Sequence, residues 1–357
     1  MGIRQLAHEL HLSIGTVSRA LNDRPDVNDE TRARVKEAAI RAGYVPNQSG
    51  RSLRSGRTGI VAAVIPTRTF ASTTDSGLFH VLEGARRTLR AQALDLIVLF
   101  RGPDEDPLEN LQRTVQRRIA DAVIVSQTTT ADPRLAYLKA RGVDFVAFGR
   151  SGGIEDYPFV DFDFETMARQ AARLFVADGH RRLAVALGDP ALNYESITVE
   201  AFRAETQRLG LAETAVELLP TRDGRLTAAG LARFAGPLVP TAILATHECI
   251  AGTLYADLGR LGLAIGRDVS LICTFPAIDT RALVPALSHF SADLDAVGVA
   301  LAETLTGLLS DSAVRPRSRL VPLAFKPAAS HGPCLEPQRP PSHGPARRPA
   351  AERRARA

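Results

Sequence analysis

Seventeen residues near the N-terminus, Leu6 to Asn22, constrain the fold of this chain more than any other stretch. They carry two short helical patterns that meet at a tight turn. Ile3, Leu6, Ala7 and Leu10 share one face of the first at helical spacing. Ser13 is placed to cap the second, whose buried side is Val17, Ala20 and Leu21. The small side chain of Ala7 lets the two helices cross closely, as a helix-turn-helix requires. The second helix then turns Ile14, Gly15, Ser18 and Arg19 outward. A major groove admits one helix, and arginine is the commonest reader of guanine O6 and N7. Further on, Asn28 is placed to cap a third helix over 29–42, with Gly43 as its stop. Thr31, Val35, Ala38, Ala39 and Ala42 form the apolar stripe of that helix. The stretch that follows, Tyr44 to Arg57, is too short and too basic to pack a core.

Four segments in order carry a family resemblance. They are Thr16-Val17-Ser18-Arg19-Ala20-Leu21-Asn22, Thr31-Arg32-Ala33-Arg34-Val35, Gly43-Tyr44-Val45-Pro46-Asn47 and Arg51-Ser52-Leu53. Together they resemble the LacI/GalR family of bacterial transcriptional regulators, and the similarity runs on to about Pro333. The resemblance implies a three-helix headpiece over 1–46 and a hinge over 47–57, helical across 48–54 when on operator DNA. It implies DNA contacts from Ser13, Ile14, Gly15, Thr16, Ser18, Arg19, Asn22, Thr31, Tyr44, Asn47 and Arg51. Leu53 stands where the family wedges a hinge leucine into the minor groove, the general device of an apolar side chain that unstacks a base step. Two residues depart from the pattern. His11 occupies a turn position that is usually Gly or Asn, and His is among the types tolerated in a left-handed conformation. Gly50 replaces the usual hinge Ala, at a helix-propensity cost of about 1 kcal/mol.

Charge supports the same reading. Residues 1–57 hold ten basic and six acidic residues, residues 328–357 hold six and two, and the stretch between is mildly acidic. A phosphate-binding arm on a small-molecule sensor needs positive charge only where it meets the backbone of the nucleic acid. The Pro-, Ala- and Arg-rich end, 328–357, reads as a disordered tail. Cys249, Cys273 and Cys334 form neither a metal pattern nor a disulfide framework, and the sequence calls for no cofactor. No apolar run is long enough for a bilayer and no secretory signal opens the chain, so a cytoplasmic location is expected.

From Thr58 onward short apolar strands alternate with helices. The strands expected are 59–65, 94–100, 122–125, 145–148, 183–187, 242–245, 270–273 and 288–290; the helices are 79–91, 108–118, 133–141, 164–178, 196–209, 249–261 and 294–309. Such alternation predicts parallel sheets covered on both faces, and the strand count suits two of them. Residues 58–327 thus resemble the two-lobed α/β core of the periplasmic-binding-protein type I class, which binds ligand between lobes and dimerises. His180 reads as an ordinary histidine before a strand, and no nucleophile–base set, serine elbow or P-loop appears, so no enzyme is expected.

Open α/β sheets bind ligands at the carboxyl ends of their strands. The polar and aromatic residues so placed are Asp75, Arg101, Gln127, Arg150, Asp163, Asn193, His247, Glu248 and Phe275. Bidentate Arg, carboxylates, amides and an aromatic face are what a polyol wants, and Phe148-Gly149-Arg150 followed by Val160-Asp161-Phe162-Asp163 resembles a subgroup tied to sugar uptake. The reading is therefore a homodimeric repressor on a pseudo-palindromic operator, controlled by a sugar. A nucleobase sensor of the same family is the alternative, and a solute-binding protein is the alternative from another class. Departures cluster in the pocket. His247-Glu248 stands for the usual Asn-Asp, Cys273-Thr274-Phe275-Pro276 for a Gly-aromatic-Asp-Asp block, and Phe164 for Asn; the Arg usual near Thr198 is missing.

Overall fold

A computed structural model describes residues 2–21, 23–44, 56–66, 76–102, 104–235, 239–274, 282–310 and 318–335. These fall into two compact units, residues up to 60 with 114–121, and residues 61–113 with those from 122 onward. The expected hinge helix, with Asn47, Gly50, Arg51 and Leu53, lies outside the described residues, as does Asn22.

The first unit opens with three helices, α1 (Ile3–Glu9), α2 (Ile14–Leu21) and α3 (Asp29–Arg41). Their core is Leu6, Ala7, Val17, Ala20, Val27, Val35, Ala38 and Ala39, with Ile3, Leu10 and Leu21 packed against it. His11 does take the left-handed conformation, φ 51°, that the turn between α1 and α2 requires. Ser13 accepts the Thr16 N–H at 3.0 Å and Asn28 accepts the Thr31 N–H at 2.7 Å, so both expected caps form. Arginines of α3 lock the turns to it. Arg34 donates to the Leu10 carbonyl, and Arg32 donates to the carbonyls of Arg24 and Val27.

The second unit is built on two sheets. The first has the order β2-β1-β3-β4-β5-β12, from β1 (Ile60–Pro66), β2 (Asp95–Arg101), β3 (Ala122–Ser126), β4 (Asp144–Phe148), β5 (Phe159–Phe162) and β12 (Arg319–Val321). The ladders from β1 through β3, β4 and β5 to β12 are parallel. The second has the order β13-β11-β10-β9-β6-β7-β8, from β6 (Leu183–Leu187), β7 (Val216–Arg222), β8 (Arg225–Leu226), β9 (Ala242–Ala245), β10 (Ser270–Cys273), β11 (Ser288–Ser291) and β13 (Ala324–Lys326). Its interior is parallel, and its two edge strands are antiparallel.

Buried on both faces, the central strands need no alternation, which is why β3 and β9 read as unbroken apolar runs. The chain passes between the sheets three times. It leaves β5 for α7 (Phe164–Ala177), which packs on α8 (Asn193–Arg208) beside the second sheet. It returns from β11 through α11 (Leu294–Leu309), which packs on α4 (Ser76–Ala91). It crosses last from β12 to β13.

The expected disorder from residue 328 is corrected over its first eight residues. Ser330 is fully buried, its carbonyl accepts the Leu271 N–H at 2.7 Å, and its hydroxyl donates to the Leu271 carbonyl at 2.6 Å. His180, also buried, bonds Thr241, Ser270 and the Gly332 carbonyl, each at 3.0 Å. Burial pushes its pKa down, which keeps it neutral as a structural group. Composition hid this segment because its order comes from hydrogen bonds to the starts of β10 and β11, and its own apolar content is small. Among the described residues, no helix is long and apolar enough to cross a membrane.

Candidate functional site

In the headpiece, α2 carries the exposed surface. Ile14 is 46% exposed, Gly15 and Thr16 are half-buried, and the Arg19 side chain is half exposed. A Cβ on Gly15 would touch the Arg19 guanidinium at 3.4 Å, so the glycine leaves space for that side chain one turn away. Arg19 pairs with Asp26 at 3.2 Å. One expectation fails here. Ser18, expected outward, is buried at 8% exposure. An eight-residue helix wedged between two others is covered over a wide arc, and Ser18 adjoins the central Val17. Thr31 and Tyr44 are half-buried.

In the second unit, the carboxyl ends of β3, β4, β6 and β9 converge on a cavity of about 150 Å³ between the two sheets. Its wall is a chain of rings. Phe148 meets Phe162 edge-on at 5.6 Å, Phe162 meets Phe164 at 5.9 Å, and Phe164 stacks on Tyr194 at 5.3 Å and 26°. Polar groups sit on either side, with Ser126 at the end of β3 and Gln127 and Thr128 just after it, and Thr246 and His247 after β9 leading into Glu248 at the start of the next helix.

Neighbours hold these groups in place. Glu195 accepts the Thr246 hydroxyl at 2.9 Å and the Gly188 N–H at 2.9 Å. His247 uses Nδ1 to accept the Cys249 N–H at 3.2 Å, capping α10 (Glu248–Arg260), and its other ring nitrogen carries the proton in that neutral state. Gln127 stands at φ 52°, and buried Arg134 fixes it by donating to the carbonyls of Ser126 and Gln127, both at 3.0 Å. Arg134 is itself paired with buried Asp132 at 2.6 Å. The Ser126 hydroxyl, buried beside the cavity, has no hydrogen-bond partner among the described residues.

Of the nine expected cleft residues, Gln127, Arg150, His247 and Glu248 line the cavity. Arg150 arrives there already engaged. It donates Nε to Asp161 at 2.8 Å and both terminal nitrogens to the Glu165 carboxylate at 2.9 Å each. Burial works against the Arg150 charge, but the bonds to Glu165 and Asp161 outweigh it and raise its pKa. The bond from Arg150 holds Glu165 below its ordinary range, and burial pushes Asp161 up to about 6.

Three other residues stand outside the lining. Arg101 turns back to donate to the carbonyls of Gly102 and Glu105, Asp163 caps α7 by accepting the Thr166 N–H at 2.9 Å, and Asn193 bonds the carbonyls of Thr128 and Arg150. Asp75 and Phe275 lie outside the described residues. Among the polar and aromatic lining residues discussed above, sequence reasoning missed Ser126, Thr128, Thr246 and the four rings. Ser126 is one position upstream of Gln127, and Thr246 directly precedes His247, so both were within reach of the strand-end rule.

Comparison with known proteins agrees with both halves of this description. Residues 3–47 match the bacterial regulatory proteins of the lacI family, and residues 172–330 match the periplasmic binding protein-like domain. The HTH-type transcriptional regulator AglR of Rhizobium meliloti (strain 1021) is 33% identical over 345 residues, covering 93% of this chain and 95% of AglR. A lac repressor dimer bound to operator and the anti-inducer ONPF superposes with a TM-score of 0.79 at 17% identity, over 93% of this chain and 99% of the repressor chain. A complex of the transcriptional regulator CelR with cellobiose gives a TM-score of 0.69 at 21% identity, over 92% of this chain and 99% of that chain.

Proposed function

Because the chain belongs to the LacI family of bacterial regulatory proteins, we propose that it is a homodimeric repressor whose grip on operator DNA is set by a saccharide held in the cleft. It is a DNA-binding transcriptional regulator, not an enzyme. The choice of ligand rests on one observation, the row of rings Phe148, Phe162, Phe164 and Tyr194 facing hydroxyl, amide, imidazole and carboxylate groups. A pyranose has an apolar C–H face that stacks on aromatic rings and a rim of hydroxyls that need donors and acceptors. The unpartnered Ser126 hydroxyl supplies one such group, and Gln127, Thr246, His247 and Glu248 supply the rest. CelR, which is similar to this chain, has been solved with cellobiose.

On the DNA side, Arg19 reads a base edge in each half-site, with Ile14, Gly15 and Thr16 beside it. Thr31 and Tyr44 contact the backbone, and Asn22, Asn47, Arg51 and Leu53 complete the surface. The ligand acts through linkage. It binds two lobe arrangements unequally and thereby shifts the population that holds DNA.

The test has two steps. Selection from random duplexes gives the operator, and a palindromic consensus of two half-sites is the expected product. A thermal-shift panel of mono- and disaccharides, nucleobases and amino acids then finds the effector, which must also change operator affinity. A nucleobase that raises the melting temperature, with every saccharide inert, overturns the ligand assignment.

A further inference from the structure

One margin of the cleft is closed by the protein itself. The loop after β3 belongs to the first lobe, whereas Leu192 and Asn193, at the start of α8, belong to the second. Thr129 and Leu192 form an antiparallel bridge between them. The Asn193 N–H donates to the Thr128 carbonyl at 2.9 Å, and Asn193 Nδ2 donates to the Arg150 carbonyl at 2.8 Å. The guanidinium of the same Arg150 reaches Glu165, in the first turn of α7, through two bonds of 2.9 Å. Arg150 is thus held to the second lobe at both ends, its carbonyl by Asn193 and its guanidinium by Glu165.

The first-lobe half is preorganised. Thr128 donates its hydroxyl to the Arg150 carbonyl at 2.7 Å. Gly149, at φ 119°, permits that approach, because a Cβ there would fall 2.5 Å from the Thr128 hydroxyl. The N–H groups of Thr129 and Arg134 both go to Asp132.

We propose that Asn193, Arg150 and Glu165 form an interlobe latch that sets the balance between open and closed cleft, and that they act on the effector through this balance and not by binding it. Two arguments favour this role over effector binding. The Arg150 guanidinium already meets two carboxylates, and Asn193, at 8% exposure, directs both its backbone and side-chain donors to carbonyls of the other lobe. Planar bidentate pairing of Arg with a carboxylate is also directional, so it favours one lobe orientation over its neighbours. The physiological use of the latch rests on the sensor reading above, but its existence does not.

The test is native-state hydrogen exchange by mass spectrometry on the full chain, with neither saccharide nor DNA added. Glu165→Gln keeps the volume and removes the charge. It is expected to speed exchange several-fold in peptides covering 127–131 and 190–195, which are remote from it in sequence, and to leave the β6 and β9 peptides unchanged. Asn193→Ala is expected to speed the peptide covering 163–167 in return. If each substitution speeds only its own peptide, or neither changes any, the latch is refuted and the bonds are local structure. If Asn193→Ala fails to fold, Glu165→Gln alone decides. A refuted latch leaves the saccharide assignment standing, and a failed saccharide panel leaves the exchange result standing.

Discussion

Eight consecutive residues, Ile14–Leu21, form the helix proposed to read DNA, whereas the cleft collects its lining from strands, loops and helix starts that the chain visits over more than two hundred positions. On α2 helix geometry sets which way a side chain points and packing against two neighbouring helices sets how wide an arc is covered, so Arg19 stays half exposed while Ser18 is buried. In the cleft the backbone or side chain of one residue is placed by the side chain of another. Ser126 and Gln127 are held by Arg134, Thr246 by Glu195, and the Arg150 carbonyl by Thr128 and Asn193. Substitutions in the first region should therefore act singly, and those in the second should spread.

The largest effect expected is at Arg19. Arg19→Ala should lower the ratio of operator to random-DNA affinity by roughly 1–3 kcal/mol per half-site, measured by competition binding at fixed salt. An unchanged ratio would break the claim that one helix carries the reading. Next comes Gly149→Ala, which places a Cβ against Thr128 at a backbone angle unsuited to alanine. It should cost about 1–3 kcal/mol, visible as a drop of several degrees in the calorimetric melting temperature. A melting curve identical to the parent's would remove the argument that cleft residues are mutually constrained.

Ser13→Ala should cost about 1 kcal/mol through loss of the α2 cap, read as faster exchange at the Thr16 amide. Ser18→Ala should change stability by about 0.5–1 kcal/mol and leave operator discrimination within a few-fold, because the side chain is buried. A loss of discrimination as large as that of Arg19→Ala would restore Ser18 to the reading surface.

Smallest is an acid effect within the core. Bonds from Arg208 and Arg173 hold Glu205 down at about 2, against 4.5 for a free glutamate. The folded state therefore binds this proton less readily than the unfolded one, and the stabilisation is present above about pH 4.5 and lost as pH falls toward 2. Both arginine side chains are more than half exposed, so solvent screens most of it. Glu205→Gln should flatten the fall of the urea midpoint between pH 5 and pH 3; an equally steep fall in the variant would assign the slope to other carboxylates.

The same contrast explains what the sequence disclosed. The caps at Ser13 and Asn28, the left-handed turn at His11 and the apolar face of Leu6 and Ala7 are all short-range, and each could be read from a window of a few residues. The strand-end rule found Gln127, Arg150, His247 and Glu248 in the lining but could not tell which strand-end side chains turn away. Asp163 is a polar residue at a strand end, but a helix starts there and its carboxylate caps α7. β5 escaped notice because Asp161 interrupts its apolar run, and Asp161 is tolerated there only because Arg150 meets it. β7 was masked by Pro220, which the sheet accepts near the strand's end. The rings of Phe164 and Tyr194 meet across thirty positions of sequence, and no local pattern encodes such a meeting.

The last strands carry a consequence for synthesis. β12 completes one edge of the first sheet and β13 one edge of the second, and 328–335 binds the second sheet through Ser330 and Gly332. The ribosome makes all of these after nearly everything else. At about 5–20 residues per second, β1 waits on the order of tens of seconds for the strand that finishes its sheet. The headpiece has all its helices by residue 41, so a nascent chain acquires its DNA-reading module long before its sensor. A chain released early would carry the helix-turn-helix module without the sensor proposed to control it.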